Sequence, residues 1–238
     1  MTPVPTPARV DRRKALAHLR RSDPVLAAVI DRDRGFDPRA WLVDLGPMDA
    51  FGALTFQVLG QQLSVAATRT ILRRLEDRVG DGRLPSPAAV LAAEPGALRS
   101  AGMSNRKAET LTAIATEFVE GRLSDALLRR LSDEEIETLL TAISGVGSWT
   151  VHGFLLIALD RPDVVTPGDL VLRKAVERVY GLDHRPSPAE VLEIAEPWRP
   201  YRSLATAYLF HAARDSAPPD GGAGATPPSA RRQSGAGR

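Results

Sequence analysis

The sequence predicts an all-α fold, a compact domain of about ten helices joined by short connections. Three observations predict it. Apolar residues recur at three- and four-residue spacing in segment after segment. Cap residues and prolines punctuate the starts of those segments. Valine-rich alternation is scarce, and Val164-Val165-Thr166 is too short to found a sheet. A chain of 238 residues with 43% hydrophobic and 25% charged residues has ordinary globular composition, enough for one large domain or two small ones.

The elements follow in order. Residues 1–7 are poor in structure, whereas 11–21 predict a short basic helix. Asp23-Pro24 opens a helix over 25–30, and 50–59 and 64–79 follow with helical apolar spacing. Ser86-Pro87-Ala88 places a cap residue before a proline at the first helical position, where a missing N–H costs nothing, and Ser187-Pro188-Ala189 repeats the device. Further helices fit 105–120, 133–143, 149–159, 170–180 and 201–214. Ser132 with Glu135, and Ser187 with Glu190, are capping-box pairs. The last 22 residues, from Ala217, are Pro, Gly, Ala and Ser without periodic hydrophobics, so they cannot repay the entropy of ordering and are expected to be disordered. The organisation expected is a basic arm or short helix at 1–21, a helical domain at 22–216 and a tail at 217–238.

Composition excludes several chemistries. Cysteine is absent, which removes disulfides, thiolate zinc sites, iron–sulfur clusters and cysteine nucleophiles. His18, His152, His184 and His211 lie far apart without ligand spacing, so no metal site is expected from them. No stretch approaches the ~20 apolar residues of a membrane span, and the start lacks the apolar core of a signal peptide. A soluble, monomeric, cytoplasmic protein with no membrane partner is expected, nucleoid-associated if bacterial. The formal charge is +2, unevenly placed. Arg9, Arg12, Arg13, Lys14, Arg20 and Arg21 face only Asp11 in the first 21 residues, and Arg231, Arg232 and Arg238 face Asp220 in the tail. The middle is therefore acidic, and an anionic partner must be met by the arm or by local backbone and arginine sites.

The most informative segment is 137–160, ETLLTAISGVGSWTVHGFLLIALD. A helix ends at Ile143, Gly145-Val146-Gly147 makes a tight turn, and an apolar helix starts at once. The two glycines permit positive φ and close backbone approach, while Val146 can plug between the helices. Amides at the turn and at the next helix N-terminus would then form an anion site suited to a DNA phosphate. This is a helix-hairpin-helix signature, although a plain αα-hairpin with a glycine turn accounts for the segment taken alone.

Asp169 lies 20 residues after Trp149, in VVTPGDLVLRKAV (164–176), just before a helix. That combination resembles the helix-hairpin-helix, Gly/Pro-rich loop, aspartate superfamily of DNA base-excision glycosylases, and within it the 3-methyladenine DNA glycosylase II family. The likeness takes in VLGQQLSVAATRT (58–70), LRSAGMSNRKAETLTAI (98–114) and WRPYRSLA (198–205), and covers 51–214.

The resemblance implies a fold, a reaction and a set of residues. The reaction is hydrolysis of the N-glycosidic bond of alkylated purines such as 3-methyladenine and 7-methylguanine in duplex DNA, by base flipping, leaving an abasic site. Asp169 would be the carboxylate that stabilises the oxocarbenium-like sugar, and it also reads as the N-cap of the following helix. Many members carry a second acidic residue where Gly168 stands. Members that also cut the strand carry a lysine two residues after the second hairpin glycine. That position is Trp149 here, which implies a monofunctional enzyme without lyase activity. Trp149 and Tyr201 align with pocket aromatics that stack on a cationic base, with core packing as the other reading of each. Trp41, Phe51, Phe56, Trp198, Tyr208 and Phe210 read as scaffold. Gln62 or Leu63 would be the wedge that fills the gap left by the flipped base, against a reading in which Gln61 and Gln62 only cap and bridge helices. Gly145, Val146, Gly147, Ser148 and Thr150 would hold a phosphate, with a monovalent cation on the hairpin backbone as in relatives. Arg173 and Lys174 would touch DNA backbone or form a solvated face. No cofactor is implied, and the partner is duplex DNA containing damaged bases. Relatives often carry an amino-terminal β-rich domain, and the residues before Phe51 are too few to build it, so a compact single-domain form is expected.

Two other functions fit the sequence: a glycosylase for deaminated or oxidised bases, and a non-catalytic helix-hairpin-helix DNA-binding protein. The second has no need of a carboxylate beside phosphate. An unrelated helical regulator fits poorly, because no recognition helix rich in base-reading residues appears.

Overall fold

The computed structural model describes residues 11–40, 42 and 48–214. Thirteen α-helices and no strand occur among them. Trp41 and the tail from Ala217 lie outside the described residues.

The helices begin where side chains can satisfy their first amides. Asp11 caps α1 (Arg12–Ser22), Asp23 caps α2 (Pro24–Arg32), and Asp49 caps α3 (Ala50–Gly60). Serines cap α4 (Val65–Val79), α5 (Pro87–Ala92), α7 (Asn105–Val119) and α8 (Asp125–Arg130). Both expected capping boxes form, Ser132 with Glu135 opening α9 (Asp133–Thr141) and Ser187 with Glu190 opening α12 (Pro188–Ala195). The remaining helices are α6 (Ala97–Ser100), α10 (Ser148–Ile157), α11 (Leu170–Tyr180) and α13 (Arg202–Arg214). Helices α6 and α8 were not expected from the sequence, because four or six residues complete fewer than two turns and carry no readable periodicity.

Two cores organise the chain. Helices α3 to α10 build the first, around α3, which is buried from Ala50 to Leu59 and apolar there except at Thr55 and Gln57. Helices α1, α2 and α11 to α13 build the second, around Trp198, Tyr208 and Leu172. The chain thus starts in one lobe, builds the other and returns. Asp23 ties the return together. Its carboxylate caps Leu26 N at 2.9 Å and accepts from the Trp198 indole at 2.7 Å and from the Tyr180 hydroxyl.

Of the two forms expected for 1–21, arm or short helix, the described residues form the helix, α1. Ala15 and Leu19 of α1 are fully buried, Leu19 within the second core, so the helical part of 1–21 belongs to the domain. The two crossings between lobes, residues 33–40 and 158–169, meet at a cleft where the site lies.

Candidate active site

The hairpin is the junction of α9 and α10. Ile143 N–H closes no further turn beyond its bond to Leu140, Val146 N–H donates to Ile143 O at 3.0 Å, and α10 begins two residues later. Only Gly145 uses the left-handed region, at φ +88°. A β-carbon there would stand 1.9 Å from Thr110 Oγ1. Gly147 has φ −112° and ψ 171° with open space around it, so its glycine character is not required by the fold. Of the two positions where glycine permits a positive φ, only Gly145 uses it. Val146 is 6% exposed and sits in the first core, as a plug between the helices should.

Helix α10 starts at the exposed Gly147-Ser148 without a side-chain cap, which leaves its first amides free to meet an anion. Thr150 does not share that surface. It is 1% exposed and its hydroxyl accepts from Gln61 Nε2 at 3.1 Å, so its side chain serves the scaffold. The carbonyls of Ile143, Gly145 and Gly147 each accept a hydrogen bond, and that of Val146 accepts none among the described residues. Oxygen donors of this kind fit a hard, weakly charged cation.

Asp169 caps α11 with one carboxylate oxygen and keeps the other for a second partner. Its Oδ1 caps α11, accepting from Val171 N at 2.8 Å and Leu172 N at 3.0 Å. Its Oδ2 accepts from the indole Nε1 of Trp149 at 2.7 Å. Two residues 20 apart in sequence are thereby joined at one point. The carboxylate and the indole stand at the mouth of a cavity of about 650 Å³ between the lobes. Trp149 is exposed there, with its ring edge within contact of the position a Gly60 β-carbon would occupy. Tyr201 lines the same cavity and packs edge-on to His18 at 5.5 Å between ring centroids.

The proposed wedge segment is held to the hairpin. Gln61 Nε2 donates to Gly145 O at 3.0 Å as well as to Thr150. Lys107 Nζ donates to Leu59 O at 2.7 Å and Gln61 O at 2.8 Å, closing the end of α3. Burial holds the Lys107 ammonium below its ordinary pKa. Gln62 adopts φ +58°, the left-handed region, and Leu63 follows at 42% exposure on the cavity rim. Of the two wedge candidates only Leu63 lines the cavity. Arg173 is turned away from it, since its Nε donates to Pro186 O at 2.6 Å, whereas Lys174 is exposed.

Sequence reasoning missed part of the wall. Phe56 and Phe210, assigned to the scaffold, line the cavity, while Phe51, Trp198 and Tyr208 are buried as expected. Phe36 stacks on His211 at 4.1 Å and 12° in the same wall. Arg39 fastens this segment by pairing with Asp160 at 2.6 Å and donating to the α10 carbonyls of Leu156 and Ile157. A lone Phe and Arg in a connection give no sequence signal of this kind.

Residues 57–200 match the HhH-GPD superfamily of base excision DNA repair proteins. The chain is 32% identical to DNA-3-methyladenine glycosylase 1 of Schizosaccharomyces pombe over 154 residues, 64% of this chain and 68% of that protein. It is 31% identical to YfjP of Bacillus subtilis over 158 residues, 64% of this chain but only 55% of the relative's length. The structure of the S. pombe 3-methyladenine DNA glycosylase in complex with abasic DNA superimposes with a TM-score of 0.70 at 28% identity, covering 84% of this chain and 97% of that one.

Proposed function

Because the chain belongs to the HhH-GPD superfamily of base excision DNA repair proteins, we propose that it is a monofunctional DNA glycosylase. In this reading it removes 3-methyladenine, 7-methylguanine and related alkylated purines from duplex DNA. The observation that carries the reading is Asp169. Its carboxylate is fixed at the mouth of the interlobe cavity by two helix amides and an indole N–H.

The chemistry follows from that placement. A purine methylated at N3 or N7 is cationic, so it leaves with the electron pair of the C1′–N9 bond and becomes neutral. The sugar is left as an oxocarbenium ion, which the Asp169 carboxylate stabilises by charge and hydrogen-bond geometry fixed in advance. Water adds its oxygen to C1′ and loses a proton, giving a hydroxyl and an abasic site. The strand stays intact, because Trp149 stands where a Schiff-base amine would be needed.

Binding is divided among the other residues. The uncapped amides of Gly147, Ser148 and Trp149 hold a backbone phosphate, and a monovalent cation on the hairpin carbonyls would add positive charge beside it. Leu63 enters the duplex as the base leaves. The Trp149 and Tyr201 rings face the cationic base, an attraction of ~0.5–2 kcal/mol for each. The protein acts as a monomer, in the cytoplasm or on the nucleoid; among the described residues no helix is long and apolar enough to cross a membrane.

The test is incubation with methylated duplex DNA, chromatography of released bases and a strand-break assay before and after alkali. Free methylated purine with breaks only after alkali is the expected result. Breaks without alkali would contradict the monofunctional assignment, and no released base would contradict the glycosylase assignment.

A further inference from the structure

Helix α3 is apolar along its buried length apart from Thr55 and Gln57. Thr55 is satisfied by its own helix, donating to Phe51 O at 2.9 Å. Gln57 is 5% exposed, lines the interlobe cavity and makes no side-chain hydrogen bond among the described residues. Its carboxamide opens onto the cavity, so its hydrogen bonds are left to whatever occupies that space.

The neighbouring helix is shaped around it. The Gln57 carboxamide lies over Gly153 of α10, which also lines the cavity. A β-carbon at 153 would stand 2.3 Å from Gln57 Oε1 and 2.7 Å from Nε2. Gly153 sits mid-helix with no positive φ to require it, so the amide is what the glycine makes room for. The other buried polar side chains of the first core are either bonded to their own helices or, as with Thr150, bonded across to Gln61. Gln57 alone among them presents a donor and an acceptor side by side to the cavity.

We propose that Gln57 reads the edge of the extruded base and favours N3-alkylated adenine over N7-alkylated guanine. The inference rests on the glycosylase reading above. A carboxamide matches the adenine edge that carries N6–H₂ and N7, donating to N7 and accepting from the amino group. 3-Methyladenine keeps both groups. 7-Methylguanine carries its methyl on N7 and a carbonyl at O6, so it can use only the donor half and leaves Gln57 Oε1 unpaired.

The experiment uses duplex DNA methylated to contain both lesions, so that the ratio of kcat/KM for the two bases comes from one reaction. Gln57→Leu keeps the volume and removes both polar groups. It should lower release of 3-methyladenine by about tenfold or more, the discrimination of a good bidentate pair, and change release of 7-methylguanine less than about threefold on the same scale. Gly153→Ala displaces the amide without removing it and should lower the same ratio, which keeps the test open if Gln57→Leu does not fold. An unchanged ratio in a folded variant, or equal loss for both bases, overturns the assignment of Gln57 while leaving the glycosylase reading intact. Release of neither base by the wild-type protein overturns both.

Discussion

Trp149→Phe separates the two roles proposed for one side chain. The indole N–H donates to Asp169 Oδ2 at 2.7 Å, and the ring faces the cavity. Phenylalanine keeps an aromatic face and removes the N–H. A hydrogen bond to a charged acceptor contributes ~1.5–3 kcal/mol when both groups are dry. Here the pair is at an exposed rim, and Asp169 Oδ1 keeps its two amide donors at 2.8 and 3.0 Å. The loss should therefore fall at the lower end, ~1.4 kcal/mol or about tenfold in kcat. KM should stay within about twofold because the stacking face survives. The assay is single-turnover release of 3-methyladenine under saturating enzyme, with steady-state KM measured beside it. A wild-type kcat in Trp149→Phe would refute the positioning role. A raised KM with kcat unchanged would show that the side chain acts only by holding the base.

The remaining predictions address the hairpin, the wedge and the core. Gly145→Ala meets Thr110 and a left-handed φ, and should cost ~2–4 kcal/mol of stability, read as a lowered urea midpoint. Gly147→Ala meets nothing; it should melt like the wild type within ~0.5 kcal/mol and instead weaken DNA binding, seen by fluorescence anisotropy. Leu63→Ala, at an exposed site, should leave stability nearly unchanged and slow release from a paired lesion more than from a mispaired one, since mispairing lowers the extrusion cost. Burial holds the His152 imidazole below its ordinary pKa, against the pull of Glu137 at 3.8 Å. The unfolded chain then takes up a proton more readily, so stability is fully present above the unfolded pKa of ~6.5 and is lost as pH falls through the folded value. Urea midpoints at pH 7 and pH 5 should differ less in His152→Gln than in the wild type.

The parts of this molecule legible in sequence are those fixed by local chemistry. Asp23-Pro24, Ser86-Pro87, Ser132 with Glu135 and Ser187 with Glu190 start their helices where expected, because a cap satisfies amides within three residues of itself. The Gly145 turn and the Asp169 cap are local in the same sense. What sequence did not expose is long-range. The union of Trp149 with Asp169 depends on where α10 and α11 cross the cleft, and the tie from Gln61 to Gly145 spans 84 residues. The burial of α1 depends on α2 and the carboxyl-terminal helices closing around it. A basic run reads as an arm because its charges dominate the pattern, while only Ala15 and Leu19 of its four apolar residues become buried.

The central claim is that Asp169 acts as a charge and not only as a cap. Asn is as good an N-cap as Asp, so Asp169→Asn preserves the bonds to Val171 and Leu172 while removing the negative charge and, because its NH2 group then faces the Trp149 indole N–H, the one bond whose loss Trp149→Phe measures by itself. The measurement is the single-turnover rate of 3-methyladenine release from methylated duplex DNA, wild type against Asp169→Asn, with thermal melts of both. Electrostatic stabilisation of the sugar cation predicts a loss of ~10²-fold or more in a variant that melts like the wild type. A variant that releases the base at the wild-type rate would contradict the account.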